Sequence, residues 1–120
     1  MMIKRDTYAF GLFAESLAAL FLMMKGYRVL ARRYKTPVGE IDLIAKRGRT
    51  VAFIEVKARR ELSAALESVT PRMKNRIGRA GRYFLSSNPS LSTCDLRFDL
   101  IALAPPFYLR HLDNAWQLAA

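Results

Sequence analysis

The sequence predicts an α/β fold: a mixed β-sheet flanked by helices, in the order α-β-β-β-α-β-β. Three observations carry that reading. Two stretches repeat apolar residues at helical spacing, five short runs have the alternating or continuous apolar character of strands, and polar turn residues separate them. The 120 residues allow one domain, 1–120, and a hydrophobic fraction of 52% excludes a disordered basic tail.

Asp6 or Thr7 is placed to cap the first helix, and Gly26 to end it. Between Tyr8 and Met24 the only other polar side chains are Glu15 and Ser16. Glu15 breaks this apolar run, and Leu17 to Met24 falls far short of the roughly 20 residues that span a bilayer, so a core helix of a cytoplasmic protein is expected. Tyr27 to Tyr34 reads as a strand, Thr36-Pro37-Val38-Gly39 as a turn, and Glu40 to Ala45 as a second strand. In that strand Ile41, Leu43 and Ala45 should face one way, and Glu40, Asp42 and Ile44 the other. Lys46 to Thr50 turns the chain into a third strand, Val51 to Lys57, making a hairpin. Arg59 to Val69 reads as a loop with helical turns. Thr70 caps the second long helix, with Pro71 first and Met73, Ile77, Ala80 and Phe84 as its buried stripe. Ser86 to Pro89 ends it. Leu96 to Leu103 and Phe107 to Leu112 are the last strands, joined through Pro105-Pro106.

Twenty Lys and Arg oppose ten Asp and Glu, a formal charge of +10. A compact basic domain favours a polyanionic partner, nucleic acid ahead of membrane. Cys94 is the single cysteine, which excludes an internal disulfide and a cysteine-rich zinc site.

The acidic residues are the informative minority. With the hairpin centred on the Gly48-Arg49 bond, Asp42 lies opposite Glu55 and Glu40 opposite Lys57. Glu55 and Lys57, two apart on a strand, share a face. A one-residue slip would turn Asp42 away. Two facing carboxylates repel, and a hard cation relieves that repulsion; Mg²⁺ binds through one or two carboxylates, water and phosphate oxygens. Such an ion beside a lysine is what phosphodiester hydrolysis needs. The same residues also fit a surface hairpin with a cross-strand ion pair. Glu15 has Gly11, Ala18 and Ala19 on its own helical face, so a packed junction is favoured over solvent for its carboxylate.

Gly39-Glu40-Ile41-Asp42-Leu43-Ile44-Ala45, then seven residues, then Phe53-Ile54-Glu55-Val56-Lys57-Ala58-Arg59, resembles the YraN-like family, uncharacterised protein family UPF0102. That family looks like a branch of the PD-(D/E)xK restriction-endonuclease-like superfamily, related to archaeal Holliday-junction resolvases. The resemblance covers most of the chain, with the Glu15 helix, Lys74 and Arg97-Phe98-Asp99 also in place. It implies a restriction-endonuclease-like fold, with Asp42, Glu55 and the Val56 carbonyl holding Mg²⁺ or Mn²⁺. It further implies Lys57 as catalytic lysine and Glu15 as an assistant to metal or water. Glu40 belongs to the motif without an assigned role.

Arg72, Arg76 and Arg79 recur along the second long helix with Lys74, while Arg32, Arg33 and Lys35 precede the motif and Arg59 and Arg60 follow it. These are the candidate phosphate contacts, which carry no base information. Asp99 should pair with Arg97, His111 reads as an edge histidine, and Trp116 and Tyr108 should pack. The expected function is a Mg²⁺-dependent endonuclease acting on DNA, before RNA, with branched or damaged DNA as substrate. The alternative is a non-catalytic nucleic-acid-binding module of the same fold. No membrane partner is expected, and a two-strand cut would call for a homodimer.

Overall fold

The computed structural model describes residues 4–104 and 108–118, with side chains from residue 11 onward. In chain order the elements are α1 (Lys4–Met24), β1 (Arg28–Thr36), β2 (Gly39–Arg47), β3 (Thr50–Lys57), α2 (Leu62–Glu67), α3 (Pro71–Ser86), β4 (Asp95–Ala104) and β5 (Tyr108–Trp116). The strands form one mixed sheet in sequence order. β1, β2 and β3 are an antiparallel meander, β4 lies parallel to β3, and β5 returns antiparallel. The parallel step requires a crossover, which α2 and α3 provide.

Helices cover both faces, which explains why β3 is buried without interruption from Val51 to Ile54. On one face Ala14, Ala18, Ala19 and Leu22 of α1 pack on Leu43, Ala45, Ala52, Ile54 and Ile101. On the other, Ile77, Ala80 and Phe84 of α3 pack on Ile44, Val51, Phe53 and Leu100. Thr70 caps α3 as expected, its hydroxyl accepting from the Met73 N–H at 3.2 Å. Trp116 stacks on Phe98 and is buried. Among the described residues no helix is long and apolar enough to cross a membrane.

The structure departs from the sequence reading in detail. Helical backbone runs through Asp6 and Thr7 from Lys4, so neither occupies the cap position. The Arg59 to Val69 segment contains α2, whose Ala65 is fully buried against the α3-side core. β5 extends to Trp116, past Leu112, because its ladder with β4 reaches Phe98. Ile41 leaves the strict alternation and joins Ile44 on the α3 side, while Leu43 and Ala45 face α1. Ile41 pairs with Tyr34 of β1, which packs on the same side; the β1–β2 ladder skips Arg33 and Asp42, where Arg33 takes the left-handed φ of +50, and the alternation breaks there. The Pro105-Pro106 turn and Phe107 lie outside the described residues.

A buried polar network ties the helix–sheet junction. The Asp99 carboxylate, wholly buried, accepts from Arg97 Nε and Nη2 at 2.8 Å, from His111 Nε2 at 2.8 Å and from the Asn114 N–H at 3.0 Å. Arg97 also reaches the Tyr27 hydroxyl. Lys25 Nζ donates to His111 Nδ1 at 2.7 Å, so the hydrogen-bond partners assign the imidazole proton to Nε2. Burial pushes the Asp99 carboxyl up, but the donors from His111, Arg97 and Asn114 outweigh it and hold the group below its ordinary 3.8. The expected Arg97–Asp99 pair is therefore present, and His111, on the edge strand β5 as the sequence suggests, is a member of the network.

Asp99→Ala should lower stability by about 3–5 kcal/mol in urea unfolding, because Arg97 is left half-buried without its carboxylate. The Asp99 contribution is full above pH 3.8 and is lost as pH falls through its lower folded value, so the gap between wild type and variant should close in strong acid.

Candidate functional site

The β2–β3 hairpin has the register expected from its length. Arg47 pairs with Thr50 and Leu43 with Ile54, symmetric about Gly48 and Arg49. Gly48 has φ +60, a left-handed conformation that glycine adopts without strain. Ladder pairing stops at Leu43 and Ile54, one residue short of Asp42 and Glu55. Past that point Asp42 Oδ2 accepts the Val56 N–H at 2.8 Å, a side chain standing in for the missing backbone partner. Glu55 stands beside Asp42, whose carboxylate adds to burial in raising the Glu55 carboxyl. Glu40 does not face Lys57; it stands in register with Lys35 on β1, because β2 has left β3 before reaching it.

Beside this junction α1 and the ends of the first three strands enclose a cleft of about 270 Å³. Gly11 and Glu15 line it from α1, Arg33 and Lys35 from β1, Glu40 and Asp42 from β2, and Val56 from β3. Glu55 and Lys57 are half-buried on the opposite face of β3 from Val56, so Asp42 is the group that touches both the cleft and Glu55. The structure thus brings Asp42, Glu55 and Lys57 to one strand end and sets Glu15 across the cleft.

Glu15 is buried, as its small helical neighbours suggested: Ala18 and Ala19 pack on the sheet. Its Oε1 lies 3.7 Å from Arg32 Nε and its Oε2 3.9 Å from Arg33 Nε. Oε1 has no hydrogen-bond partner. Burial first, then the Asp42 charge, raises the Glu15 carboxyl above its usual range, against the pull of Arg32 and Arg33. Arg33 has φ +50, rare for a side chain this large. The left-handed backbone sits at the cleft wall, and a sequence scan for charge runs carries no signal for it.

Glu55 is pushed up to about 9, chiefly by burial, then by its hydrogen bond to Asp42 and that group's charge; Lys57 pulls it down and Glu40 adds to the rise. At neutral pH it therefore keeps its proton and donates to Asp42. A proton held between two carboxylates is what a cation would replace. Among the described residues no three of His, Cys, Asp and Glu converge on one ion position. An ion here would rest on Asp42, Glu55, the Val56 carbonyl and water. That all-oxygen set, with the unpartnered Glu15 oxygen across the cleft, fits Mg²⁺ or Mn²⁺.

The expected cations are mostly exposed, some at the cleft and others on α3 across the sheet. Arg32 stands over Glu15 and donates to Ser16 Oγ at 2.7 Å. Arg59 and Arg60 are exposed just past β3. Arg72, Arg76 and Arg79 project from α3 away from its buried stripe, whereas Lys74 is half-buried with Nζ 5.9 Å from the Trp116 ring centre. A backbone contact fixes this face beside the motif: a Cβ on Gly39 would sit 2.2 Å from the Arg76 carbonyl oxygen. Gly39 was visible only as a turn residue; its close approach to α3 is a tertiary property.

The raised carboxyl gives a signed pH test. Glu55 stabilises the fold fully below its unfolded value of 4.5, and that contribution is lost as pH rises towards about 9. Glu55→Gln removes this titration. In chelator at pH 8 the variant should melt above wild type, and the gap should vanish near pH 4.

The model of Uncharacterised protein family UPF0102 matches residues 14–103, which include the hairpin, both carboxylates and Lys57. A UPF0102 protein of Parvibaculum lavamentivorans is 51% identical over 110 residues, covering 92% of this chain and 83% of the relative. One of Methylorubrum extorquens is 49% identical over 115 residues, covering 96% and 90%. One of Caulobacter is 52% identical over 103 residues, covering 86% and 74%. With a family match across the site and relatives at this identity over nearly the whole length, the chain belongs to UPF0102.

Proposed function

We propose that this protein is a Mg²⁺-dependent endonuclease that hydrolyses DNA phosphodiesters, with branched or damaged DNA as its substrates. The observation that carries the reading is the meeting of Asp42 and Glu55 at the end of the hairpin, with Asp42 in the cleft wall and Lys57 two residues beyond Glu55, in a chain of charge +10. Buried carboxylates in contact are costly to keep for structure alone, and groups perturbed in this way concentrate at functional sites.

Asp42, Glu55 and the Val56 carbonyl would hold the ion, which when bound polarises a phosphodiester and lowers the pKa of a water. Asp42 is kept in place by the Val56 N–H. Glu15, buried with one free acceptor oxygen, would accept a hydrogen bond from the attacking water and orient it. Lys57 would put an ammonium where negative charge develops on the phosphoryl oxygens. Arg33 and Lys35 in the cleft wall, with Arg59, Arg60 and the α3 arginines outside it, would hold the DNA backbone. None of these contacts reads a base, so cleavage would follow DNA shape rather than sequence.

Supercoiled plasmid and a four-way junction should be nicked with Mg²⁺ or Mn²⁺ and left intact in chelator. Asp42→Ala and Lys57→Ala should each lose at least about 100-fold in rate while still binding the junction. Cleavage surviving in both variants would sink the assignment, and binding without cleavage in the wild type would leave a nucleic-acid-binding module. Changing Arg72, Arg76 and Arg79 together to Gln should weaken junction binding for every sequence and flatten its salt dependence, by up to about three charges in the slope.

A further inference from the structure

Helix α1 is packed inside out. Against the sheet it sets small residues, Ala14, Ala18 and Ala19, with Leu22 as the one large apolar side chain that is fully buried. Its larger apolar residues point to solvent: Phe13 is 58% exposed and Met24 79%, with Leu17, Leu20 and Met23 between them. Among the described residues these are five of the eight exposed large apolar side chains. Phe13, Leu17, Leu20 and Met24 follow one another at i, i+4, i+7 and i+11, a single stripe about 17 Å long. The small inner residues let α1 lie close on the sheet and bring Glu15 to the cleft, but nothing within the monomer calls for large apolar side chains on the outer face.

We infer that the outer face of α1 is a self-association surface, on which a second copy of this chain docks its own α1 across a two-fold axis. Area is the first argument. The five side chains expose roughly 500 Å², at the upper end for the largest patch on a typical monomer. With the polar rim around them this approaches the ~800 Å² per partner of a stable interface.

Charge is the second argument. Among the described side chains of α1 the only ionisable group is Glu15, and it is turned inward. On a molecule of +10 this is where two copies can touch with least repulsion. An anionic lipid surface would need apolar and basic groups on one side. The exposed arginines of α3 lie across the sheet from α1, and two cations beside it are engaged within the fold, Lys25 with His111 and Arg32 with Ser16 and Glu15. A symmetric pairing leaves both α3 faces pointing outward.

The assembly is tested on the whole chain, without nucleic acid or metal, so the outcome is independent of the proposed chemistry. Sedimentation at tens of micromolar should give twice the 13.7 kDa chain mass, and the dimer should persist at high salt. Leu17→Glu with Leu20→Glu, and separately Phe13→Gln with Met24→Gln, should weaken association by about 100-fold, with the far-ultraviolet circular dichroism unchanged. A wild type that stays at 13.7 kDa, a dimer that salt dissociates, or a folded variant pair that dimerises like wild type overturns the inference. Docking of a wild-type monomer on phosphatidylglycerol vesicles would overturn it too.

Discussion

Because β2 and β3 pair in a register centred on Gly48 and Arg49, Asp42 and Glu55 arrive side by side as the strands part. One residue of slip would turn Asp42 off the face it shares with Glu55. It would also take Leu43 or Ile54, both wholly buried, out of the α1-side core, so apolar packing enforces the alignment of the acids. The cleft inherits its chemistry from this hairpin. Where the ladder ends, the Val56 N–H turns to Asp42, and the strand's unpaired backbone becomes the fixture that holds a carboxylate.

Asp99 and Glu55 sit in surroundings whose electrostatics run in opposite directions. Asp99 has a guanidinium, an imidazole and a backbone N–H around it, and its carboxyl is held down. Glu55 has another carboxylate as its nearest partner, and its carboxyl is held up. The first is a satisfied network that locks α1, β4 and β5 together. The second is satisfied only by sharing a proton, which leaves it responsive to a cation. The two groups differ in the sign of what surrounds them more than in how deeply they lie.

Much of this was legible in the residues. Hairpin length sets register, and register sets the Asp42–Glu55 meeting; an acid among alanines foretold that Glu15 would be buried. Other features depend on parts of the chain that sequence spacing does not connect. His111 looks isolated until β4 brings Asp99 to one ring nitrogen and α1 brings Lys25 to the other. Glu40 pairs with Lys35 rather than Lys57 because the strands diverge, an effect of sheet twist and not of pattern. The left-handed turn at Arg33 and the approach of Gly39 to Arg76 are likewise tertiary, with no local residue preference to announce them.

The contact between Lys25 and His111 spans 86 positions and joins the end of the first helix to the last strand. During synthesis the basic residues of β1 and α3 emerge well before β5 does. A ribosome-bound chain therefore has cationic surface before the clamp on its Glu15-bearing helix can close.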